Sequence, residues 1–288
     1  MKPIHLTIVA LIFFICELIA SQTFAEKLAE PQLTIQAQGK MLTYPRSSLL
    51  SRPDLEKIVL NDIPTYPGKR IEYSAVPLFH LFQGMPIDPE ATIQFRCLDG
   101  FSAPISSARI LEHAPGRSIA YLAIEKENEP WPAVHPEQGP GTAGPFFLIW
   151  KNPELSHVGV EEWPFQLEGF EIKGSLRSTF PKIFPPKRYS QSSPEMRGFQ
   201  IFQRSCFSCH KINGQGLSDF APDLNLPKSP TEYFTQAALR AYIRNPQSLR
   251  QWKNDRMRGF SPEELPDPEL ADLIRYLEIM AKSRPGQN

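Results

Sequence analysis

The chain has 288 residues, enough for about two domains, and its 41% apolar and 22% charged residues allow ordinary globular cores. Lys plus Arg equals Asp plus Glu at 31 each, which removes the electrostatic reason to expect a nucleic-acid partner. The 30 prolines argue for long, stiff connections and against a helical bundle throughout.

Residues 1–25 read as a secretory signal. Lys2 and His5 make a basic start, Leu6 to Cys16 is almost wholly apolar, and small Thr23 and Ala25 place cleavage near Ala25–Glu26. The apolar run is too short to span a bilayer and Glu17 ends it, so no integral membrane segment is expected after cleavage. Bulky Ile15 before Cys16 argues against a lipoprotein site. The expected location is periplasmic. Cys97, Cys206 and Cys209 remain, too few for a disulfide scaffold.

Residues 26–177 read as a mainly β (α+β) domain. Leu33 to Ile35, Arg70 to Tyr73 and Thr92 to Cys97 alternate as strands, and Asp99-Gly100 signals a tight turn into a return strand from Phe101 to Ile105. Ile119 to Ile124, Phe146 to Trp150 and Phe165 to Ile172 are further strand-length runs, with one short helix expected at Val76 to Phe82. His80, His113, His135 and His157 have no ligand spacing, and Trp131, Trp150 and Trp163 read as core and turn aromatics. Residues 178–192, rich in Pro and Ser, read as a linker.

From Ser193 to the end the pattern is helical. Ser193 and Pro194 form a helix start, and that helix runs into Cys206-Phe207-Ser208-Cys209-His210. Two thiols three positions apart can each add to one vinyl group of a haem, and the adjacent His then falls under the iron. A shuffled chain of this composition shows the pattern roughly once in a thousand trials. Zinc would need a second ligand pair, and none follows. A thioredoxin-like pair would follow a strand, whereas this one follows a helix. Asp267 and Pro268 start a last helix with an apolar stripe of Leu270, Leu273, Ile274, Leu277 and Met280. Gly198 on the first helix allows close crossing, with Tyr276 placed to lie over it.

Residues 193–288 resemble a class I cytochrome c domain. Gly198 and Phe202 precede the haem motif. Gly216, Ala221-Pro222-Asp223-Leu224, Asn245-Pro246, Met257 with Phe260, and Leu273 to Leu277 follow it. The resemblance implies one covalent haem c and a Pro222 carbonyl that receives the free imidazole nitrogen of His210. Arg258 stands where the family usually has Pro. Of the two downstream methionines, Met280 falls on the apolar stripe. Met257 lies in a polar loop where packing explains a thioether poorly and ligation explains it well, so Met257 is the expected sixth ligand. An open sixth position is the alternative and would point to ligand sensing or peroxidase chemistry. The rim charges Lys211, Arg250, Lys253, Arg256 and Arg258 against Asp219, Asp223 and Asp255 read as a solvated rim.

Residues Cys97 to Ser102, Gly144-Pro145-Phe146 and Trp163 to Leu167 resemble the sulfite-oxidase-like molybdopterin-binding fold, with Val76 to Phe82 as its early short helix. In active members a cysteine near the position of Cys97 binds molybdenum, which would make the chain an oxidoreductase feeding its own haem. The short domain, the missing pterin-phosphate motif and the alternation of Cys97 with Ile93 and Phe95 favour a buried, apolar role for this thiol and no molybdopterin. The expectation is a periplasmic electron carrier with redox protein partners and an N-terminal docking or interaction domain.

Overall fold

The computed structural model describes residues 30–137, 139–251 and 257–284. The expected signal at 1–25 and the rim charges Lys253, Asp255 and Arg256 lie outside them.

The N-terminal half carries nine strands: β1 (Gln32–Ala37), β2 (Lys40–Pro45), β3 (Glu56–Ile63), β4 (Tyr66–Pro77), β5 (Ala91–Cys97), β6 (Ser102–Ser106), β7 (Ile119–Ile124), β8 (Phe146–Lys151) and β9 (Leu167–Ser175). They form a five-stranded sheet in the order β2-β1-β9-β5-β6 and a four-stranded sheet in the order β3-β4-β7-β8. Only β1 and β9 pair in parallel among these ladders. One apolar core collects the buried faces of both sheets, with Leu33, Ile35, Ile93, Phe95, Leu122, Phe147 and Phe170 fully enclosed. Alternation explains β1, where Leu33 and Ile35 face inward on every second position. β5 lies between β9 and β6 and is buried almost throughout, so it reads as a continuous apolar run.

The Asp99-Gly100 turn forms between β5 and β6. Gly100 takes a φ of +87°, the Asp99 carboxylate accepts from Phe101 N at 2.9 Å, and Cys97 N donates to Phe101 O at 3.0 Å. Phe101 belongs to this turn, so the return strand starts at Ser102. The last strand starts at Leu167, not Phe165, because Gln166 adopts a left-handed φ of +52°. The short helix expected at Val76 to Phe82 shrinks to Leu78–Leu81. Val76 and Pro77 finish β4, pairing with Leu122 and Tyr121, as the extended bias of a residue before proline requires.

The C-terminal half is helical. Helices of four and five residues at Arg46–Leu50 (α1), Leu78–Leu81 (α2), Ser107–Ile110 (α3) and Leu176–Thr179 (α4) precede α5 (Pro194–Ser205), α6 (Pro230–Tyr233), α7 (Gln236–Arg244) and α8 (Asp267–Lys282). Ser193 caps α5, its hydroxyl accepting from Met196 N at 3.3 Å. The apolar stripe of α8 is buried along its length, and α5 crosses it at Gly198. A Cβ at Gly198 would strike the Asp272 carbonyl and lie 2.8 Å from the Tyr276 Cβ. Arg197–Asp272 (2.7 Å) and Arg204–Glu269 bridge the two helices beside the crossing.

The proline-rich segment expected as a linker is packed on this helical core at its start. Ile183 is fully buried, Phe180 meets Phe207 at 5.2 Å, Phe184 meets Phe199 at 4.5 Å, and the Tyr276 hydroxyl donates to Ile183 O at 2.7 Å.

Two substitutions test these contacts. Gly198→Ala should force the helices apart and cost about 1–3 kcal/mol in denaturant unfolding of the haem-loaded chain. Asn225 is fully buried and its amide donates to Asn213 Oδ1 (2.7 Å) and to Met280 O (2.8 Å), tying the loop after Pro222 to the end of α8. Asn225→Ala strands these acceptors and should cost about 1–3 kcal/mol in the same measurement.

Candidate functional site

Cys206 ends α5. The backbone then folds back on itself: Cys206 N and Phe207 N both donate to Phe202 O at 2.9 Å, and Cys209 N and His210 N donate to Cys206 O at 3.1 and 2.9 Å. This tight turn sends Phe207 into the core, 1% exposed, and presents Cys206, Cys209 and His210 to one cavity. The cavity has a volume of about 1290 Å³, and Pro222 and Met257 also line it.

The imidazole of His210 is held from behind. Its Nδ1 lies 2.7 Å from Pro222 O, and burial pushes its pKa below the ordinary range, so the ring is neutral and donates from Nδ1. Nε2 is then the nitrogen left with a lone pair for a metal. The Pro222 loop is itself fixed, because Ala221 N donates to Cys209 O (3.1 Å) and Leu224 N to Lys211 O (2.8 Å). Burial, and then the nearby Glu161 carboxyl, push both thiols of the motif up to about 12. Cys97, Cys206 and Cys209 form no disulfide with one another.

The residues fit the implied haem. Among the described residues, a half-buried Met257 and the His210 imidazole line one cavity with the thiol pair, whereas Met280 is buried in the helical core and does not line it. No group of three or more His, Cys, Asp or Glu among the described residues could hold a separate metal ion.

Some of the described rim charges are partnered, although Asp219 stays 92% exposed. Asp223 accepts from Gly214 N (2.7 Å), Asn225 N (2.7 Å) and Leu226 N (2.9 Å), so it organises the loop. Lys211 pairs with Asp219. Arg258 donates to Glu161 at 3.2 Å and to Glu264 at 2.9 Å, with its guanidinium 4.3 Å over the Phe260 ring.

Glu161 belongs to the β half, and it is not alone. Cys97, Asp99, Phe101, Trp163 and Phe165 line the same cavity as the thiol pair. Phe101 meets Phe220 edge-on at 6.3 Å across the seam. Burial raises the pKa of Glu161 even though Arg258 pulls it down. Sequence reasoning missed this wall, since no local pattern brings residues 99–101 and 161–165 to a site near residue 210. Cys97 is 5% exposed, in line with the buried reading, and burial pushes its thiol pKa up. The other histidines are apart from one another: His80 approaches Asp54 at 3.1 Å, His113 stacks on Phe79, and His135 reaches the cavity mouth. Trp131, Trp150 and Trp163 are all buried, as core aromatics are.

No helix among the described residues is long and apolar enough to cross a membrane. No curated protein matches the chain. The family model described as Cytochrome c matches residues 195–281, the segment holding the thiol pair, His210, Pro222 and Met257, so the C-terminal helical region is a cytochrome c domain with a haem-based role in electron transfer.

Proposed function

We propose that the chain is an exported, periplasmic electron carrier with a single haem c, tethered by Cys206 and Cys209 and ligated by His210 and Met257. The observation that carries this reading is the His210 Nδ1 to Pro222 O contact of 2.7 Å in the wall that also holds both thiols and Met257. The haem supplies a one-electron iron couple, and the protein supplies everything that keeps its geometry constant. Pro222 fixes the tautomer and tilt of His210. The Cys206 turn sets the ring against α5. Met257 offers a soft, neutral donor that favours the reduced metal. Keeping both ligands in both oxidation states minimises rearrangement, which suits outer-sphere transfer. The N-terminal half, which resembles the sulfite-oxidase-like fold, serves for docking of redox partner proteins.

A second reading has one observation in its favour: Cys97 lines the same cavity as the haem-tethering pair. A molybdopterin bound at Cys97 would make the chain an oxidoreductase that passes substrate electrons to its own haem. The carrier reading is preferred because the Cys97 thiol is enclosed among apolar neighbours such as Ile93 and Phe95.

Met257→Ala should retain covalently bound haem in acidified organic solvent. It should also lose the methionine-to-iron absorption band near the red edge and lower the reduction potential. An unchanged band would remove Met257 from the ligand set. Elemental analysis of protein purified from an exporting host should give one iron per chain without stoichiometric molybdenum. Equimolar molybdenum would favour the enzyme over the carrier.

A further inference from the structure

The cavity that receives Cys206, Cys209 and His210 is lined in part by the β half. Pro64, Thr65, Pro67, Val134 and His135 line it, together with two further segments. The β5–β6 turn delivers Asp99 and Phe101, and the segment before β9 delivers Glu161, Trp163 and Phe165.

The seam between the halves is a made interface. The Glu161 carboxylate accepts from Arg258 Nε at 3.2 Å, with side-chain exposures of 20% and 35%. The pair is only partly shielded from water, and Glu264 also holds Arg258 at 2.9 Å, so losing the contact would leave Glu161 as the group without its cation. The short helical turn Val160–Glu162 packs on α5, and Gly159 lies against the Arg204 carbonyl, 3.9 Å from where its Cβ would stand. Phe101 closes on Phe220 of the loop that also carries Pro222. Polar, aromatic and charged contacts thus converge around the mouth of one cavity.

We infer that the N-terminal domain is a structural part of the haem site: Asp99, Phe101, Glu161, Trp163 and Phe165 would flank a ring tethered by Cys206 and Cys209 and shield it from solvent on the β side. The inference rests on the haem reading above and adds residues to it that lie about 40–110 positions upstream of Cys206. The aromatic wall excludes water and lowers the local polarity. The Glu161 carboxylate is a negative charge close to the ring, and Arg258 offsets it.

The test uses the full-length, haem-loaded protein in its oxidised and reduced forms. Amide resonances of residues 99–101, 161–163 and 165 should shift with the oxidation state, because a paramagnetic ferric centre perturbs nuclei near it. Glu161→Gln should raise the reduction potential, since loss of a negative charge near the iron favours the less positive state. Phe101→Ala should accelerate reduction by dithionite several-fold by opening the wall. A merely structural role for these residues would not move the potential while leaving the red-edge absorption band intact. N-terminal amides indifferent to oxidation state, or wild-type potentials and rates in both variants, would overturn the inference while covalent haem and the band remain. A chain purified without covalent haem would overturn the reading beneath it as well.

Discussion

The close approach of α5 and α8 at Gly198 is the constraint on which the C-terminal half depends. α5 leads straight into Cys206, so the position of both thiols is the position of the end of that helix. Only a residue without a Cβ lets the Asp272 carbonyl and Tyr276 lie against it. Tyr276 then faces Phe199 and Phe202 and passes its hydroxyl to Ile183, which carries the crossing into the segment before the helix. Beyond the motif, Asn225 ties the Pro222 loop to the end of the same α8. The two walls of the cavity, one from the thiols and one from the proline loop, are therefore referenced to a single helix.

The seam between the halves follows another logic. The Glu161–Arg258 pair crosses it, with side-chain exposures of 20% and 35%. Arg258 serves Glu161 and Glu264 together and lies over Phe260, which makes a residue standing in place of the family's proline into the joint between the two regions. Proline at that position would offer no donor, so the departure from the family pattern has a local physical reason.

Much of this was legible in the sequence where chemistry or periodicity is local. The thiol pair with its histidine, the Ser193 cap, the Gly198 crossing and the α8 stripe are all encoded within a few residues of one another, and each is present as read. The β half was legible where strands are buried on one face, as in β1, or throughout, as in β5. It was illegible in β2, at the edge of its sheet, where Met41 is 69% exposed and leaves no inward–outward contrast. The helix after Val76 was overread because an apolar run of that length fits strand and helix alike, and Pro77 decided between them. The β wall of the haem cavity left no mark, since tertiary packing alone brings Phe101 and Trp163 to it. Arg258 was taken for a solvated charge because its partner lies 97 positions away in the chain.

The buried Ile183 gives the connection between the halves a mechanical character. A proline-rich stretch pinned at Phe180, Ile183 and Phe184 acts as a strut and not as a leash. The free span available to either half is shortened by every residue so anchored. Lengthening the free connection past Phe180 would require drawing Ile183 out of the helical core and breaking its carbonyl's bond with Tyr276. Any such motion would therefore be felt directly at the α5–α8 crossing.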